Sequence, residues 1–226
     1  MFAFAYLDQR TETLWLARDR VGIKPLLAAD IGAELIFASE AKALLAHPRM
    51  KKRADRHAIG TWILLMRRGS VQNLFEGIDE VAPGSVWKVS GKGIEKWSYF
   101  HVLDVLDVDR LRRASACSPE SFIASFRHLF RESVRSHLAS DAKLAAACSG
   151  GVDSSLITAF AKQDVADLAA YVADVAGKGE GDQAARVGHH VGVPVRRIAV
   201  DQARLLALWP HAVWHSDGPP TSASDP

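Results

Sequence analysis

The stretch from Lys143 to Phe160 reads K-L-A-A-A-C-S-G-G-V-D-S-S-L-I-T-A-F, and the second half of the chain is organised around it. The small and apolar residues from Leu144 to Cys148 are typical of a strand buried on both faces, and helical spacing returns from Ser154 onward. Between them, Gly150 and Gly151 allow a sharp turn whose main-chain N–H groups face one point. The positive N-terminal end of the following helix adds to this effect, so the stretch predicts an anion-binding loop.

Two polar side chains follow the glycines in the first helical turn. Asp153 is placed to cap backbone donors or to face a metal ion, and Ser154 is placed to offer a hydroxyl to a phosphate. The other common mononucleotide loop, G-x-x-x-x-G-K-[ST], does not occur in the sequence.

The composition is that of an ordinary globular protein with one large or two modest domains. The chain has 226 residues, 48% of them hydrophobic and 24% charged, and a formal net charge of +2 gives no reason to expect nucleic acid as a partner. Cys117 and Cys148 are the two cysteines, too few for a disulfide framework or a zinc site. No stretch has the length of a membrane-spanning helix, so we expect a cytoplasmic chain without a membrane partner.

The first hundred residues predict mainly strands. The runs Phe2 to Leu7 and Thr13 to Ala17 predict a hairpin, and Glu34 to Ala38 predicts a further strand. A short helix, Glu40 to Ala46, should follow, with Ser39 as its N-cap.

A domain boundary is expected after this region, because residues 104–117 are polar and irregular in pattern. The sequence therefore predicts a first domain over residues 1–103, a linker over 104–117 and a second domain over 118–226. Ser118 and Pro119 predict the cap and first turn of a helix. Its apolar face should belong to the core and consists of Phe122, Phe126, Leu129, Phe130, Val134 and Leu138.

Beyond the glycine loop, strand and helix patterns alternate. Leu168 to Val172 and Val195 to Val200 predict two more buried strands, while Asp182 to Val191 and Gln202 to His215 predict helices. Such alternation is typical of a parallel sheet that binds its ligand at the carboxyl ends of the strands.

The loop Ser149-Gly150-Gly151-Val152-Asp153-Ser154 resembles the Ser-Gly-Gly-x-Asp-Ser loop of the ATP pyrophosphatases. That loop grips the pyrophosphate that leaves when ATP adenylates a substrate.

A second resemblance covers the first domain. Met1 to Ala5, Ala17 to Leu26 and Phe37 to Leu44 are similar to the later half of the glutaminase domain of asparagine synthetases. Leu74 to Ile78 and Ala82 to Ser85 resemble the closing strands and Pro-Gly turn of that domain. In this family the glutaminase domain precedes an ATP pyrophosphatase domain, so the chain is identified as a member of the glutamine-hydrolysing asparagine synthetase family.

The resemblance implies a fold and a reaction. The fold is a partial layered-sheet, Ntn-type glutaminase-like domain (α+β), followed by a partial parallel-sheet domain like the adenine nucleotide α-hydrolases (α/β). In the reaction, a carboxylate such as aspartate attacks the α-phosphorus of ATP, pyrophosphate leaves, and ammonia derived from glutamine displaces AMP. The partners are thus small molecules, and the resemblance also allows a homodimer.

The same resemblance assigns the residues that contact the nucleotide and its Mg²⁺. They are Cys148, Ser149, Gly150, Gly151, Val152, Asp153, Ser154 and Ala173. Cys148 and Ala173 should contribute through backbone or packing, and Asp153 is the candidate metal ligand.

The sequence departs from the family at three points. The N-terminal cysteine nucleophile is absent, so we expect neither glutamine hydrolysis nor a catalytic residue of that type. The second Ser-Gly loop of the ATP site is absent, and Gly218 stands where the family usually has glutamate. We therefore expect a fragment that spans the junction of two domains. An ATP pyrophosphatase of another branch and an inactive fragment that binds nucleotide or docks with a partner chain remain alternatives.

Overall fold

The computed structural model describes residues 1–65, 73–175 and 180–219. The chain divides into two units, Met1–Asp107 together with the segment that begins at Pro210, and Val108–Trp209. None of the described helices is both long enough and apolar enough to span a membrane.

The first unit is built mainly from short strands that form two antiparallel sheets. One sheet has the order β1-β2-β6-β7 and the other the order β4-β3-β5. The elements are β1 (Ala3–Asp8), β2 (Thr13–Arg18), β3 (Leu27–Asp30), β4 (Leu35–Ala38), α1 (Ala41–Leu45), α2 (Arg56–Leu65), β5 (Asp79–Glu80), β6 (Ser85–Ser90) and β7 (Gly93–Ser98). The predicted opening hairpin is confirmed, because β1 and β2 pair from Ala3 opposite Arg18 to Asp8 opposite Thr13.

The two sheets share a core, and a helix covers the far side of the second sheet. Leu16 of β2 and Trp87 of β6 lie in one buried cluster with Ala28 of β3. Side chains alternate along a strand, so Leu27 and Ala29 point to the side opposite Ala28. They pack in a cluster with Leu44 of α1. The predicted layering of sheets is therefore present, while its Ntn-type assignment stays a prediction.

The Arg18-Asp19 pair organises the loop that joins the two sheets. The Arg18 guanidinium donates to the carbonyls of Lys24, Gly22 and Val81 and pairs with Glu80. The Asp19 carboxylate accepts from the N–H groups of Phe2, Val21, Ile23 and Lys24. Burial alone would raise the pKa of Asp19, but these N–H donors outweigh it and lower the pKa to about 2.

The N-terminus of α1 differs from its prediction. Ser39 was expected to cap this helix, but the N-cap position belongs to Glu40, whose side chain makes no capping hydrogen bond. The carboxylate of Asp217 accepts instead from Ala41 N at 2.5 Å and from Lys42 N at 3.4 Å. A residue 176 positions away in sequence thus satisfies helix donors that Ser39 was expected to satisfy.

The second unit contains a parallel sheet of three strands in the order β10-β9-β8. Its elements are α3 (Val108–Ala116), α4 (Pro119–His137), β8 (Ala145–Ala147), α5 (Val152–Asp164), β9 (Ala169–Val175), α6 (Glu180–Val191), β10 (Val195–Val200) and α7 (Gln202–Ser216), of which α7 continues into the first unit. The predicted alternation of strand and helix is confirmed. The predicted burial of β8 and β10 is wrong, because Ala145, Ala147 and residues 196–199 are exposed. Ser118 and Pro119 occupy the predicted cap and first-turn positions of α4.

Two further expectations are corrected. Residues 104–117 were expected to be irregular, but a 3₁₀ helix (Val102–Val105) and α3 occupy most of this stretch. The apolar face of α4 was expected to be core, yet Phe122 and Leu129 are more than half exposed. The C-terminal half of the face does pack, since Val134 and Leu138 contact the buried cluster of the unit. The domain limits 1–103 and 118–226 stay predictions.

Candidate functional site

The glycine loop follows β8 at the carboxyl edge of the parallel sheet. Cys148 is 1% exposed, and its N–H donates to the carbonyl of Tyr171 on β9 at 2.9 Å. Its side chain is therefore part of the core, and only its backbone remains to face a ligand. Ala173 lies two residues beyond Tyr171 on the neighbouring strand, half-buried, so it lies toward the same edge of the sheet.

The hydroxyl groups of the loop bind one another and the start of α5. The oxygens of Ser149 and Ser154 lie 3.1 Å apart, and the N–H of Gly151 donates to the Ser149 hydroxyl at 3.4 Å. The Ser154 and Ser155 hydroxyls donate to the Gly151 carbonyl at 3.3 and 2.6 Å. The predicted residues from Ser149 to Ser154 are thus gathered into one tight turn.

Gly150 is a glycine that the fold itself requires. Its φ of +82° lies in the left-handed region, and a Cβ there would come within 2.6 Å of the Gln183 Cβ and 2.7 Å of the Ala184 nitrogen. Any larger residue would have to displace the first turn of α6. The loop is therefore seated directly against α6.

Gly151 is a glycine that the protein fold does not require. It is the N-cap residue of α5 with φ −69° and ψ 164°, which any residue adopts. Among residues 1–65, 73–175 and 180–219, a Cβ there would meet only the Ser149 hydroxyl, at an ordinary 3.5 Å. Protein packing gives no reason for a glycine here, so the space above it is available to a ligand.

The N-terminus of α5 has no side-chain cap within the described part of the chain. Helix α5 has 13 residues, and no side chain makes a capping hydrogen bond at its N-cap. The first N–H groups of a helix have no partner within the helix, and they carry the positive end of the helix dipole. Asp153 in this first turn is exposed and does not act as the cap, so the capping role that its position allowed is not realised.

The structure adds residues that the sequence patterns did not indicate. Gln183 and Ala184 form the wall behind Gly150. Asp174 of β9 and Asp182 of α6 both lie within ion-pair distance of Arg197 on β10. These residues come from three separate elements, so no local motif could have identified them.

Comparison with known proteins gives matches over most of the chain. A glutamine amidotransferase domain matches residues 1–100, and an asparagine synthase domain matches residues 125–226. Asparagine synthetase [glutamine-hydrolyzing] 3 of Bacillus subtilis is 36% identical over 180 residues, which cover 77% of this chain and 28% of that protein. Asparagine synthetase [glutamine-hydrolyzing] 2 of the same organism is 31% identical over 174 residues, covering 73% of this chain and 23% of that protein.

A fungal protein matches almost the whole chain at lower identity. The amidase chyE of Penicillium rubens is 27% identical over 242 residues, which cover 96% of this chain and 34% of that protein. The chain thus spans about a quarter to a third of the length of the relatives that it matches.

The two matched domains, in this order, define a chain that joins a glutamine amidotransferase module to an asparagine synthase module. The chain belongs to the family of glutamine-hydrolysing asparagine synthetases.

Proposed function

We propose that the loop Ser149–Ser154 binds the phosphates of ATP and retains the pyrophosphate that leaves when a carboxylate is adenylated. The observation that carries this proposal is Gly151, a glycine with ordinary backbone angles and open space around it at the uncapped start of a long helix. An anion placed there would face several main-chain donors and the positive end of α5.

The residues of the loop have separate roles in this proposal. The backbone N–H groups at the start of α5 bind phosphate oxygens and stabilise the charge that builds on the departing pyrophosphate. The Ser149 and Ser154 hydroxyls, already within 3.1 Å of each other, are placed to reorient toward the same anion. Gly150 fixes the path of the turn against α6.

Magnesium fits this site only as an ion shared with the phosphates. The described ranges contain no group of three or more His, Cys, Asp or Glu side chains placed to hold a metal. Mg²⁺ commonly binds through one or two carboxylates and substrate phosphates, and Asp153 offers one exposed carboxylate. Bound in this way, the ion would neutralise phosphate charge.

In the whole protein, we propose that this half-reaction serves amide formation. A substrate carboxylate such as aspartate attacks the α-phosphorus of ATP, and ammonia then displaces AMP from the acyl adenylate. Support for this reaction comes from the asparagine synthase match and from the names of the Bacillus subtilis relatives. A cytoplasmic location and Mg²⁺–ATP as the nucleotide form are parts of the same proposal.

The test is a calorimetric titration of the chain with pyrophosphate and with Mg²⁺–ATP. Gly151→Val should abolish binding of both, because the added side chain fills the space that the phosphate needs. Gly91→Val is the matched control, since Gly91 also has open space around it but lies in the first unit. Equal nucleotide affinity in Gly151→Val and the parent chain would count decisively against the proposal.

An assay of pyrophosphate release, run beside the titration, separates the rival functions. A chain that binds ATP but releases no pyrophosphate would support a nucleotide-binding fragment without turnover. Pyrophosphate release that depends on a nucleotide substrate instead of aspartate would support another branch of the ATP pyrophosphatases.

A further inference from the structure

The first turn of α6 is the surface against which the glycine loop is built. Gly150 approaches this turn so closely that even one methyl group would overlap Gln183 and Ala184. Ala184 is fully buried, so this part of α6 cannot yield toward the core. A displacement of the turn would therefore change the path of the loop at Gly150.

The C-terminal half of α6 is fixed by close packing. A Cβ at Gly188 would come within 2.6 Å of the Val193 carbonyl and would also overlap Val195 of β10. This contact brings the backbone of α6 close to the chain at Val193, just before β10, and to the Val195 side chain. It lies a little more than one helical turn beyond the contact of Gly150 with Gln183 and Ala184, so the start of α6 needs contacts of its own.

The first turn of α6 is held by charged side chains of the sheet. The Asp174 carboxylate lies against Gly181, where a Cβ would overlap it. The Arg197 guanidinium on β10 lies 2.8 Å from an Asp182 oxygen and 3.7 Å from an Asp174 oxygen. Arg197 thus joins the start of α6 to the outer strand β10 and to the central strand β9.

We propose that Arg197 is a positioning residue for the phosphate-binding loop, acting through Asp182 and the first turn of α6 on Gly150. This inference rests on the proposed function of the loop. Arg197 acts through the backbone of α6 and need not touch the ligand.

The expected loss of pyrophosphate affinity on substitution of Arg197 is moderate. The Arg197 side chain is 42% exposed and that of Asp182 is 76% exposed, so solvent screens their attraction. Partly exposed ion pairs contribute little each, and Arg197 makes two of them. We therefore expect roughly a three- to tenfold loss of pyrophosphate affinity in Arg197→Met.

A second substitution separates positioning from simple charge attraction. Arg197→Met removes a positive charge, which alone would weaken the binding of any anion nearby. Asp182→Asn removes a negative charge, so long-range attraction would make pyrophosphate bind more tightly. Positioning predicts the opposite, a weaker affinity in Asp182→Asn, and predicts that the double variant loses no more than Arg197→Met alone.

The experiment measures pyrophosphate affinity by calorimetry and amide hydrogen exchange of Ser149–Ser154 in the ligand-free chain, with the urea midpoint of each variant as a check on folding. Arg196→Met is the matched control, because Arg196 is the adjacent residue on β10 and lies by the Tyr171 ring, 5.8 Å from its centre. We expect Arg197→Met and Asp182→Asn to weaken binding and speed exchange at Gly150 and Gly151. Arg197→Lys should retain most of the parent affinity, and Arg196→Met should behave like the parent.

Several outcomes would overturn the inference. Parental affinity and parental loop exchange in Arg197→Met would do so, and so would tighter binding in Asp182→Asn or an equal loss in Arg196→Met. If the parent chain bound no pyrophosphate, the proposed function of the loop would fail. Amide exchange of Ser149–Ser154 alone would then test the positioning role of Arg197. Faster exchange in Arg197→Met would then support the positioning role, whereas unchanged exchange would refute it.

Discussion

The carboxylate of Asp217 accepts a hydrogen bond from the backbone N–H of Ala41, at 2.5 Å, although 176 positions separate the two residues. Asp217 also accepts from Lys42 N and pairs with the Lys42 ammonium at 3.2 Å. Asp217 has φ +53°, an uncommon conformation for a residue other than glycine. Burial alone would lower the pKa of Lys42, but the hydrogen bonds and charges of Glu40 and Asp217 outweigh it and raise the pKa.

This contact predicts the effect of removing the distant cap. Asp217→Ala should lower the free energy of unfolding of the first unit by about 1 kcal/mol, the usual loss for an N-cap. Urea denaturation followed by fluorescence would measure it. Ser39→Ala is the control, because Ser39 is the cap that the sequence predicts and the structure does not use. A larger loss in Ser39→Ala than in Asp217→Ala would contradict the observed geometry.

Asp19 predicts a loss of stability in acid. Its pKa in the folded chain is about 2, below its value in the unfolded chain, so its contribution is present above about pH 4. That contribution should disappear as the pH falls from about 4 toward 2, because protonation removes the acceptor for the N–H donors. Urea midpoints at several pH values would reveal it. Asp19→Asn should be less stable near neutral pH and should lose this part of the pH dependence, and a parallel pH profile for the variant would refute the assignment.

The two glycines of the loop should respond differently to alanine. Gly150→Ala should destabilise the second unit by roughly 1–3 kcal/mol, because it combines a left-handed φ with overlap of Gln183 and Ala184. Gly151→Ala should leave the urea midpoint within about 0.5 kcal/mol of the parent, since its backbone angles and surroundings accept a Cβ. Equal losses in the two variants would mean that the loop does not have the described geometry.

Asp153 should matter for turnover more than for folding. Asp153→Asn should keep the parental urea midpoint, because the Asp153 side chain is exposed and does not cap α5. In the whole protein, loss of a charge that helps to position the metal and the phosphates should slow adenylation by roughly a hundredfold or more. Pyrophosphate release measures this step. Parental turnover in Asp153→Asn would remove Asp153 from the proposed site.

Local sequence patterns were sufficient to predict several features of the second unit. Ser118 and Pro119 start α4 as predicted, because capping depends on neighbours within one helical turn. Strand β10 has the predicted limits Val195–Val200, between Pro194 and Asp201, although residues 196–199 are exposed where a buried strand was predicted. The loop from Ser149 to Ser154 also forms the predicted turn between strand and helix.

Features that depend on distant residues could not be predicted in this way. The cap of α1 comes from Asp217, and nothing in the sequence near Ser39 indicates it. The exposure of Phe122 depends on what packs beside α4, which the periodicity of one helix does not specify. Arg197 approaches Asp174 and Asp182 only because β9, α6 and β10 are neighbours in space.

The contact between Ala41 and Asp217 also has a consequence for chain entropy. It closes a loop of polypeptide that includes the whole of the second unit, Val108–Trp209. The entropic cost of closing a flexible loop grows by about 0.6 kcal/mol with each doubling of its length. While the second unit is folded, most of this loop is already ordered and the cost is small. Unfolding of that unit would lengthen the flexible part of the loop and raise the entropic cost of the hydrogen bond between Ala41 and Asp217. The stabilities of the two units are therefore thermodynamically linked.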